Sequence, residues 1–242
     1  MELSTPRLSK IETQRRKQLG VEITFKRPDG GDAKGYLTNA ARGDAPGVVV
    51  IQEWWGLAEQ IKALVDRFAL AGFDALAPDL FNGVVVPYHD AERASKEMMS
   101  LNFLDATEQT VRGAVQYLKR NGAKVGIAGF CMGGAVAIIG AAKIPELTAA
   151  VSFYGLPPEQ AVKAADVKIP LQGHFANKDD HITPAAVDAF EKALKAANKD
   201  AEFFRYDADH AFVNEQRMAA HDRQAAELAW GRATAFLNKR LG

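Results

Sequence analysis

The sequence predicts a protein of the α/β class, with a mostly parallel, twisted β-sheet, helices on both faces and an antiparallel hairpin at the N-terminal edge. Two observations lead to this prediction. Short, continuous runs of β-branched and other apolar residues recur along the chain, as in strands that are buried on both faces. Segments with helical spacing separate these runs, and that alternation is typical of a parallel sheet covered by helices.

The first elements form the hairpin. Residues 1–20 carry charges throughout and are predicted to be an N-terminal arm, so that one domain covers residues 21–242. Val21–Phe25 alternates apolar and polar residues, and the sequence RPDGGD then supplies a turn. Lys34–Thr38 is predicted to return as the second strand.

Buried strands and helices then alternate to the C-terminus. Gly47–Ile51, with the sequence GVVVI, is predicted to be a strand buried on both faces. Further strands are predicted over Asp74–Pro78, Val125–Ala128, Thr148–Phe153, Ile169–Phe175 and Ala201–Tyr206. Helices are predicted over Glu59–Ala71, Ala106–Lys119, Gly134–Ala142, Pro184–Ala197 and Gln216–Leu241.

Composition excludes several classes of protein. The 30 Lys and Arg residues balance the 30 Asp and Glu residues, so no net charge attracts nucleic acid or an anionic membrane surface. No apolar run is long enough to cross a bilayer, and the N-terminus lacks the apolar stretch of a secretory signal. One cysteine forms neither an intramolecular disulfide nor a thiolate metal cage. We therefore expect a soluble protein of the cytoplasm.

That cysteine lies in the stretch most informative about function. Gly129-Phe130-Cys131-Met132-Gly133 has the spacing of G-x-S-x-G, the nucleophile elbow between a strand and a helix. The elbow needs glycines on both flanks, because side chains there would strike the adjoining strand or helix. A thiol at a helix N-terminus is favoured as the thiolate, and the amide groups there can hold an oxyanion. The alternative is a small buried cysteine in a glycine-rich packing turn.

Residues farther along the chain favour catalysis. Asp179 and Asp180 follow one predicted strand and His210 follows the last, so both groups should emerge at the same sheet edge as Cys131. A cysteine nucleophile needs a base, and the base needs a carboxylate to orient it. Cys131, Asp180 and His210 have these residue types in the order nucleophile, acid, histidine that is found in α/β-hydrolases.

Four motifs carry a resemblance to a known family. They are IQEWWG at 51–56, APDLFNG at 77–83, GFCMGG at 129–134 and DHAF at 209–212, and NKDDHITP at 177–184 supports them. With these motifs the chain resembles the dienelactone hydrolases (carboxymethylenebutenolidases) of the α/β-hydrolase superfamily, from about residue 20 to the C-terminus. The resemblance implies a compact hydrolase sheet and a Cys-His-Asp triad. It also implies hydrolysis of lactones and esters without a metal or organic cofactor.

The resemblance also implies roles for individual residues. The acid of the family is followed by His, two further residues and Pro, which assigns Asp180 rather than Asp179. A glutamate in the position of Glu53 contacts the resting thiol, and this would limit oxidation of an exposed thiolate. The backbone N–H groups of Trp54 and Met132 match the two oxyanion donors of the fold. Without the resemblance, Glu53 would be an ordinary solvated residue in a loop.

Aromatic residues are candidates for the wall of a substrate pocket. They are Trp54, Trp55, Phe81, Tyr88 and Tyr154. The two tryptophans could equally form a hydrophobic lid, and Tyr88 could be an ordinary surface residue. The expected partner is a small ester or lactone, and the expected assembly is a monomer or a weak homodimer.

The sequence departs from the family where substrate charge is recognised. Members that cleave dienelactones hold the substrate carboxylate with two arginines, and this chain has Gly83 and Asn214 at those positions. Because a buried carboxylate is costly without a cationic partner, we expect a neutral, larger or more apolar substrate. The alternative is that Arg93, Arg205 or Arg217 reaches the pocket from elsewhere.

Other classes of function fit the sequence less well. The acidic and histidine residues that could suggest a metal site match no known ligand spacing; they are His174, His181, Asp207, Asp209 and His210. An amidotransferase-like or stress-response protein also pairs an elbow cysteine with a glutamate, but the later Asp and His would then have no role. A non-catalytic binding module usually loses a triad member, and none is missing here.

Overall fold

The core of the protein is one mixed β-sheet. A computed structural model describes residues 19–242, apart from the side chain of Asn121, and within that range the sheet has eight strands. The strands are β1 Val21–Lys26, β2 Asp32–Thr38, β3 Gly47–Ile51, β4 Asp74–Pro78, β5 Val125–Phe130, β6 Leu147–Phe153, β7 Leu171–Ala176 and β8 Ala201–Tyr206. The helices are α1 Glu59–Leu70, α2 Ala91–Ser100, α3 Phe103–Asp105, α4 Arg112–Leu118, α5 Met132–Lys143, α6 Pro184–Ala196 and α7 Arg223–Leu241.

The sheet topology confirms the predicted fold class. The spatial order is β1-β2-β4-β3-β5-β6-β7-β8. β1 and β2 form the antiparallel hairpin, with Val21 opposite Leu37 and Lys26 opposite Asp32. β2 also pairs antiparallel with β4, and every later pairing from β4 across to β8 is parallel.

Two apolar layers cover the sheet, one on each face. In β3, Val48 and Val50 pack in the layer that contains the buried residues of α1 and α7, called here the α1/α7 layer. Val49 and Ile51 pack in the opposite layer with residues of α4 and α5, called the α4/α5 layer. Successive strand residues point to opposite faces, so a run such as GVVVI serves both layers at once. Each fully buried aliphatic side chain of this kind stabilises the fold by about 1.5–3 kcal/mol.

The structure adds the helix α2 to those predicted and moves the start of another. α2 was not predicted, because most of its residues are polar and only Ala94 is fully buried, so no apolar run marks the helix in the sequence. The last helix begins at Arg223 rather than Gln216, since Asp222 caps its N-terminus by accepting a hydrogen bond from the amide of Ala225 at 2.8 Å. Residues 213–222 instead form turns beside the sheet edge.

The predicted N-terminal arm lies outside the described residues except for its last two. Leu19 donates its amide to Asp66 at 3.1 Å, and Gly20 donates to the hydroxyl of Tyr36 at 2.7 Å. These bonds attach the start of the described chain to α1 and β2. Among the helices of residues 19–242, none combines the length and the apolar character needed to cross a membrane.

Candidate active site

Three of the predicted reactive residues, Glu53, Cys131 and His210, lie at the carboxyl edge of the parallel strands, together with Asp179. Glu53 follows β3, Cys131 follows β5, Asp179 lies three residues after β7, and His210 lies four residues after β8. Parallel strands all end at the same edge, which is where open α/β sheets bind their ligands. Residues far apart in sequence are therefore brought together by the topology alone.

Cys131 occupies a strained turn between β5 and α5. Its backbone has φ 54° and ψ −118°, a left-handed conformation that side-chain-bearing residues rarely adopt. A Cβ on Gly129 would collide with the backbone of Gly133, and a Cβ on Gly133 would collide with the carbonyl oxygens of Ile51 and Gln52. Both glycines are therefore required by the close approach of β3, β5 and α5, as expected of a nucleophile elbow.

His210 connects the thiol to a carboxylate. Its Nε2 lies 3.1 Å from Sγ of Cys131, and its Nδ1 lies 2.7 Å from Oδ2 of Asp179. Burial disfavours the charged imidazole, but the hydrogen bonds to Asp179 and Cys131 outweigh burial and raise the pKa of His210 to about 10. The ring is thus poised to hold a proton beside the sulfur.

The carboxylate that orients His210 belongs to Asp179, so the assignment to Asp180 was wrong by one residue. Asp179 is buried, and its Oδ1 accepts the amides of His181 and Ile182, each at 2.8 Å. Burial alone would raise its pKa, but the bonds from His210 and from these amides lower it below the usual value. Asp180 is exposed to solvent. The turn after β7 points the first aspartate inward and the second outward.

Glu53 is buried near His210, and its carboxylate is held by groups other than the thiol. Tyr154 donates its hydroxyl to Oε1 at 3.2 Å, and Asn214 donates its amide to Oε2 at 2.7 Å. Burial raises the pKa of Glu53, although Asn214, the nearby His210 and Tyr154 oppose the rise. The contact with the resting thiol that the resemblance implied is replaced here by the hydrogen bond between Cys131 and His210.

Asn214 links Glu53 to the segment that follows β4. Its Nδ2 also lies 3.4 Å from the hydroxyl oxygen of Tyr88, and its Oδ1 accepts the amide of Gln216 at 3.0 Å. Because the oxygen is engaged by a backbone donor, the NH₂ group must face Glu53 and Tyr88. The asparagine that replaces an arginine of the family therefore has a structural partner of its own.

An apolar cleft of about 440 Å³ opens at Cys131. Its lining residues are Trp54, Met98, Phe103, Cys131, Met132, Ala135, Ile139, Tyr154, Leu156, Pro158, Ala161, His181, Ile182, His210 and Arg217. The volume falls in the range of sites that bind small organic ligands. Most of the wall is hydrocarbon, and the polar groups are concentrated around the two histidines and the arginine.

Three of the predicted pocket aromatics lie behind the cleft wall. Trp55 is buried and packs with Val86, below the segment that contains Tyr88. Phe81 is buried in the α4/α5 layer. Tyr88 stacks edge-on against Trp55 at 5.1 Å, and burial raises its pKa to about 12. These residues support the wall, whereas Trp54 and Tyr154 form part of it.

Of the three candidate arginines, Arg217 reaches the cleft. Arg205 instead forms ion pairs with Asp188 and Glu191, each at 2.9 Å, and Arg93 is exposed on α2. Arg217 is half-buried, and its positive charge lies near enough to Glu53 and Tyr88 to oppose the rise that burial causes in the pKa of each. It comes from the turns before α7, which the sequence pattern had placed in a helix.

Sequence reasoning missed most of the apolar lining. Met98 comes from α2 and Phe103 from α3, neither of which was predicted as a helix, and Leu156 and Pro158 come from the loop after β6. Short motifs do not mark such residues, because many apolar side chains suit a cavity wall. Among the described residues, no group of three or more histidine, cysteine or acidic side chains is arranged to hold a metal ion.

Known proteins resemble the chain over most of its length. The sequence profile of the dienelactone hydrolase family matches residues 33–241. Protein usf of Aquifex pyrophilus is 34% identical, with 92% of this chain and 100% of that protein aligned. A candidate carboxymethylenebutenolidase of Aquifex aeolicus is 32% identical with the same coverage. The crystal structure of a candidate dienelactone hydrolase from Klebsiella pneumoniae superimposes with a TM-score of 0.79 at 30% identity, covering 89% of this chain and 97% of that chain.

Proposed function

Since the chain belongs to the dienelactone hydrolase family and is therefore a hydrolase of lactones or carboxylic esters, we propose that it acts through a covalent thioester on Cys131. The observation that carries this proposal is the line of contacts from Sγ of Cys131 through His210 to Asp179, with distances of 3.1 and 2.7 Å. This line ends at the apolar cleft. It supplies a nucleophile, a base and an orienting acid in one place.

Acylation begins with attack of the Cys131 sulfur on the substrate carbonyl. His210 holds the thiol proton as the C–S bond forms, and the carbonyl oxygen becomes an oxyanion. The amides of Trp54 and Met132 donate hydrogen bonds to that oxyanion, and Met132 lies at the N-terminus of α5, where amides have no partner within the helix. When the C–O bond of the ester breaks, His210 gives its proton to the leaving alkoxide.

Deacylation repeats the same sequence with water. Neutral His210 removes a proton from a water molecule, which attacks the thioester carbonyl. The second oxyanion collapses, the C–S bond breaks, and the free acid leaves while Cys131 regains its starting state. Asp179 stays ionised throughout and keeps Nδ1 of His210 protonated, so that Nε2 faces the reacting atoms.

Glu53 has an electrostatic role in this mechanism, through its proximity to His210. Its carboxyl group is buried and lies close enough to His210 for the charge on each to favour the charged form of the other. We infer that Glu53 helps to stabilise the imidazolium that forms in both half-reactions. Tyr154 and Asn214 hold it in place through their hydrogen bonds.

Arg217 alters the expectation of a neutral substrate. A cation on an otherwise apolar wall favours an anionic group at that point of the bound molecule. We propose that the cleft accepts a carboxylate at Arg217, in place of the two arginines that the chain lacks. The amidotransferase-like and non-catalytic alternatives are not favoured, because the family match and the His210–Asp179 pair support the hydrolase.

Alkylation of the single cysteine tests the proposal. Cys131 is the one cysteine of the chain, so iodoacetamide inactivation reports on that side chain alone. We expect alkylation to abolish hydrolysis of an aryl ester, substrate to slow the alkylation, and Cys131→Ala to be inactive. Full activity of the completely alkylated protein would contradict the proposed nucleophile.

A further inference from the structure

We propose that the cleft binds the acyl part of an ester in an apolar arm and leaves the alcohol part beside His210. The apolar arm is formed by Met98, Phe103, Ala135, Ile139 and Leu156. The enzyme would then select substrates by the bulk of an apolar acyl group, while tolerating a polar or anionic alcohol. This inference rests on the proposed thioester mechanism and extends it to a class of substrate.

The chemistry of the step fixes most of the orientation. The carbonyl carbon must lie against Sγ of Cys131, and its oxygen must face the amides of Trp54 and Met132. The leaving oxygen must lie within reach of Nε2 of His210, because that nitrogen gives it a proton. The acyl substituent takes the one direction that is left, away from His210.

The packing of the walls shows what lies in that direction. Ile139 belongs to the α4/α5 layer, and Met98, Phe103 and Leu156 pack against the same layer. The residues that follow His210, Ala211 and Phe212, belong to the α1/α7 layer on the opposite face of the sheet. The apolar arm and the histidine therefore lie on opposite sides of the nucleophile.

The polar part of the cleft lies on the histidine side. The rings of His181 and His210 meet edge to face with centroids 5.2 Å apart, and Arg217 comes from the loop that follows His210. An alcohol part that is polar or anionic would find its partners there. An apolar acyl chain would find none, but it would bury hydrocarbon against the arm.

The volume of the cleft also favours a substrate with a large acyl group. The cleft volume of about 440 Å³ exceeds what the ester bond and a methyl group occupy. Each methylene moved from water into such a wall should raise kcat/KM about fourfold until the arm is full.

The test compares acyl lengths on a constant leaving group. With the p-nitrophenyl esters of acetate, butyrate and hexanoate, we expect kcat/KM to rise with each step. Met98→Ala should reduce the hexanoate-to-acetate ratio of kcat/KM by about tenfold, because it removes part of the arm. Met99→Ala is the matched control, since Met99 is the next residue of α2 and is 79% exposed. It should leave the ratio unchanged within about twofold.

A second series varies the alcohol of acetate esters from ethyl to hexyl. Here Met98→Ala should have no effect on the length dependence. If the alcohol series responded to Met98→Ala and the acyl series did not, the orientation would be the reverse of the one proposed. Ala135→Leu, which narrows the arm next to Cys131, provides an independent check and should reduce the hexanoate rate most.

Two different outcomes would overturn the thioester mechanism and the apolar arm. Absence of hydrolysis for every ester in both series would overturn the thioester mechanism itself. Hydrolysis with a flat acyl profile, equal in the wild type and in Met98→Ala, would overturn the apolar arm and leave the mechanism intact.

Discussion

Two adjacent carboxylates in the loop after β7 have opposite environments. Asp179 is buried and accepts three hydrogen bonds, from Nδ1 of His210 and from the amides of His181 and Ile182. Asp180 points into solvent. An orienting acid must be ionised and immobile, and the amide donors give Asp179 both properties.

Replacing each aspartate in turn should show which of the two orients His210. Asp179→Asn would leave Nδ1 of His210 with an amide partner and favour the wrong tautomer, so kcat should fall by about 10³- to 10⁴-fold. Asp180→Asn, the matched control, should change kcat less than about threefold. Steady-state kinetics on one aryl ester is sufficient for the comparison. A larger effect at Asp180 would mean that the loop adopts a different register during turnover.

The charge of the substrate can be tested at Arg217. Arg217→Gln should lower kcat/KM for a carboxylate-bearing dienelactone by about 10- to 100-fold, since hydrogen bonds to charged groups contribute about 1.5–3 kcal/mol. A neutral ester of similar size should change less than about threefold. Arg93→Gln serves as the control because Arg93 is exposed on α2. Equal losses on both substrates would show that Arg217 supports the loop and does not bind the anion.

Side chains with strict chemical requirements were the ones that the sequence predicted best. That Cys131 and His210 would lie together was predicted from a motif and from their positions after strands, and their side chains lie 3.1 Å apart. Asp179 was missed because two aspartates in one turn differ only in direction, which depends on the turn geometry. The link from Asn214 to Glu53 joins residues 161 positions apart, and no local pattern indicates it.

At the scale of elements, close backbone contacts fix the position of Cys131, the proposed nucleophile. The first turn of α5 passes so near the end of β3 that a side chain on Gly133 would overlap the carbonyl oxygens of Ile51 and Gln52. Farther along the same helix, a methyl group on Gly140 would make ordinary contacts, the nearest at 3.4 Å to Ile127 and Leu147. Of the three glycines in this helix, Gly133 and Gly134 therefore have no room for a side chain, whereas Gly140 is replaceable.

This difference predicts opposite effects of two alanine substitutions. Gly140→Ala should be neutral or raise the free energy of unfolding by up to about 1 kcal/mol, because glycine is a poor helix residue. Gly133→Ala should destabilise the fold and reduce activity, since the backbone of β3 or α5 must move away. Urea unfolding and ester hydrolysis of both variants provide the check. A stable, fully active Gly133→Ala protein would contradict the tight elbow.

Elements were predictable where burial imposes a pattern. β3 and β4 have the predicted bounds, because they are short, buried apolar runs flanked by turns. β8 also has the predicted bounds, although Tyr206 is the one buried residue among its six. α2 was not recognised, since most of its residues are polar and no apolar run marks the helix in the sequence. The π-helical turn over Ala106–Val111, between α3 and α4, likewise has no sequence signature.

At the scale of the whole molecule, a buried histidine couples the fold to pH. His174 of β7 stacks on Phe153 and Phe204, and its ring nitrogens bond Tyr206 and Gln172 at 2.8 and 2.9 Å. Burial, with a smaller effect from Arg232, lowers its pKa to about 3. The unfolded chain therefore binds a proton at this site that the folded protein excludes.

The contribution of His174 to the free energy of unfolding decreases on acidification. Because the folded pKa lies below the unfolded value of about 6.5, the contribution of neutral His174 is complete above that pH and is lost as the pH falls toward about 3. His174→Phe should be less stable at neutral pH but should lose about 1 kcal/mol less per pH unit on acidification. Urea unfolding between neutral pH and about pH 4 measures this, with His89→Gln, at an exposed position, as the control. Parallel acid profiles for wild type and His174→Phe would contradict the buried neutral state.

The central claim is that an acyl group passes through Cys131, and the most direct measurement is the mass of the enzyme during turnover. The protein is mixed with excess p-nitrophenyl hexanoate, quenched in acid within the first turnover and analysed whole and as peptides. We predict a burst of p-nitrophenol equal to the enzyme concentration and one hexanoyl group on the peptide that contains Cys131, with neither in Cys131→Ala. A burst with the acyl group on another residue, or steady hydrolysis by Cys131→Ala at the wild-type rate, would contradict it.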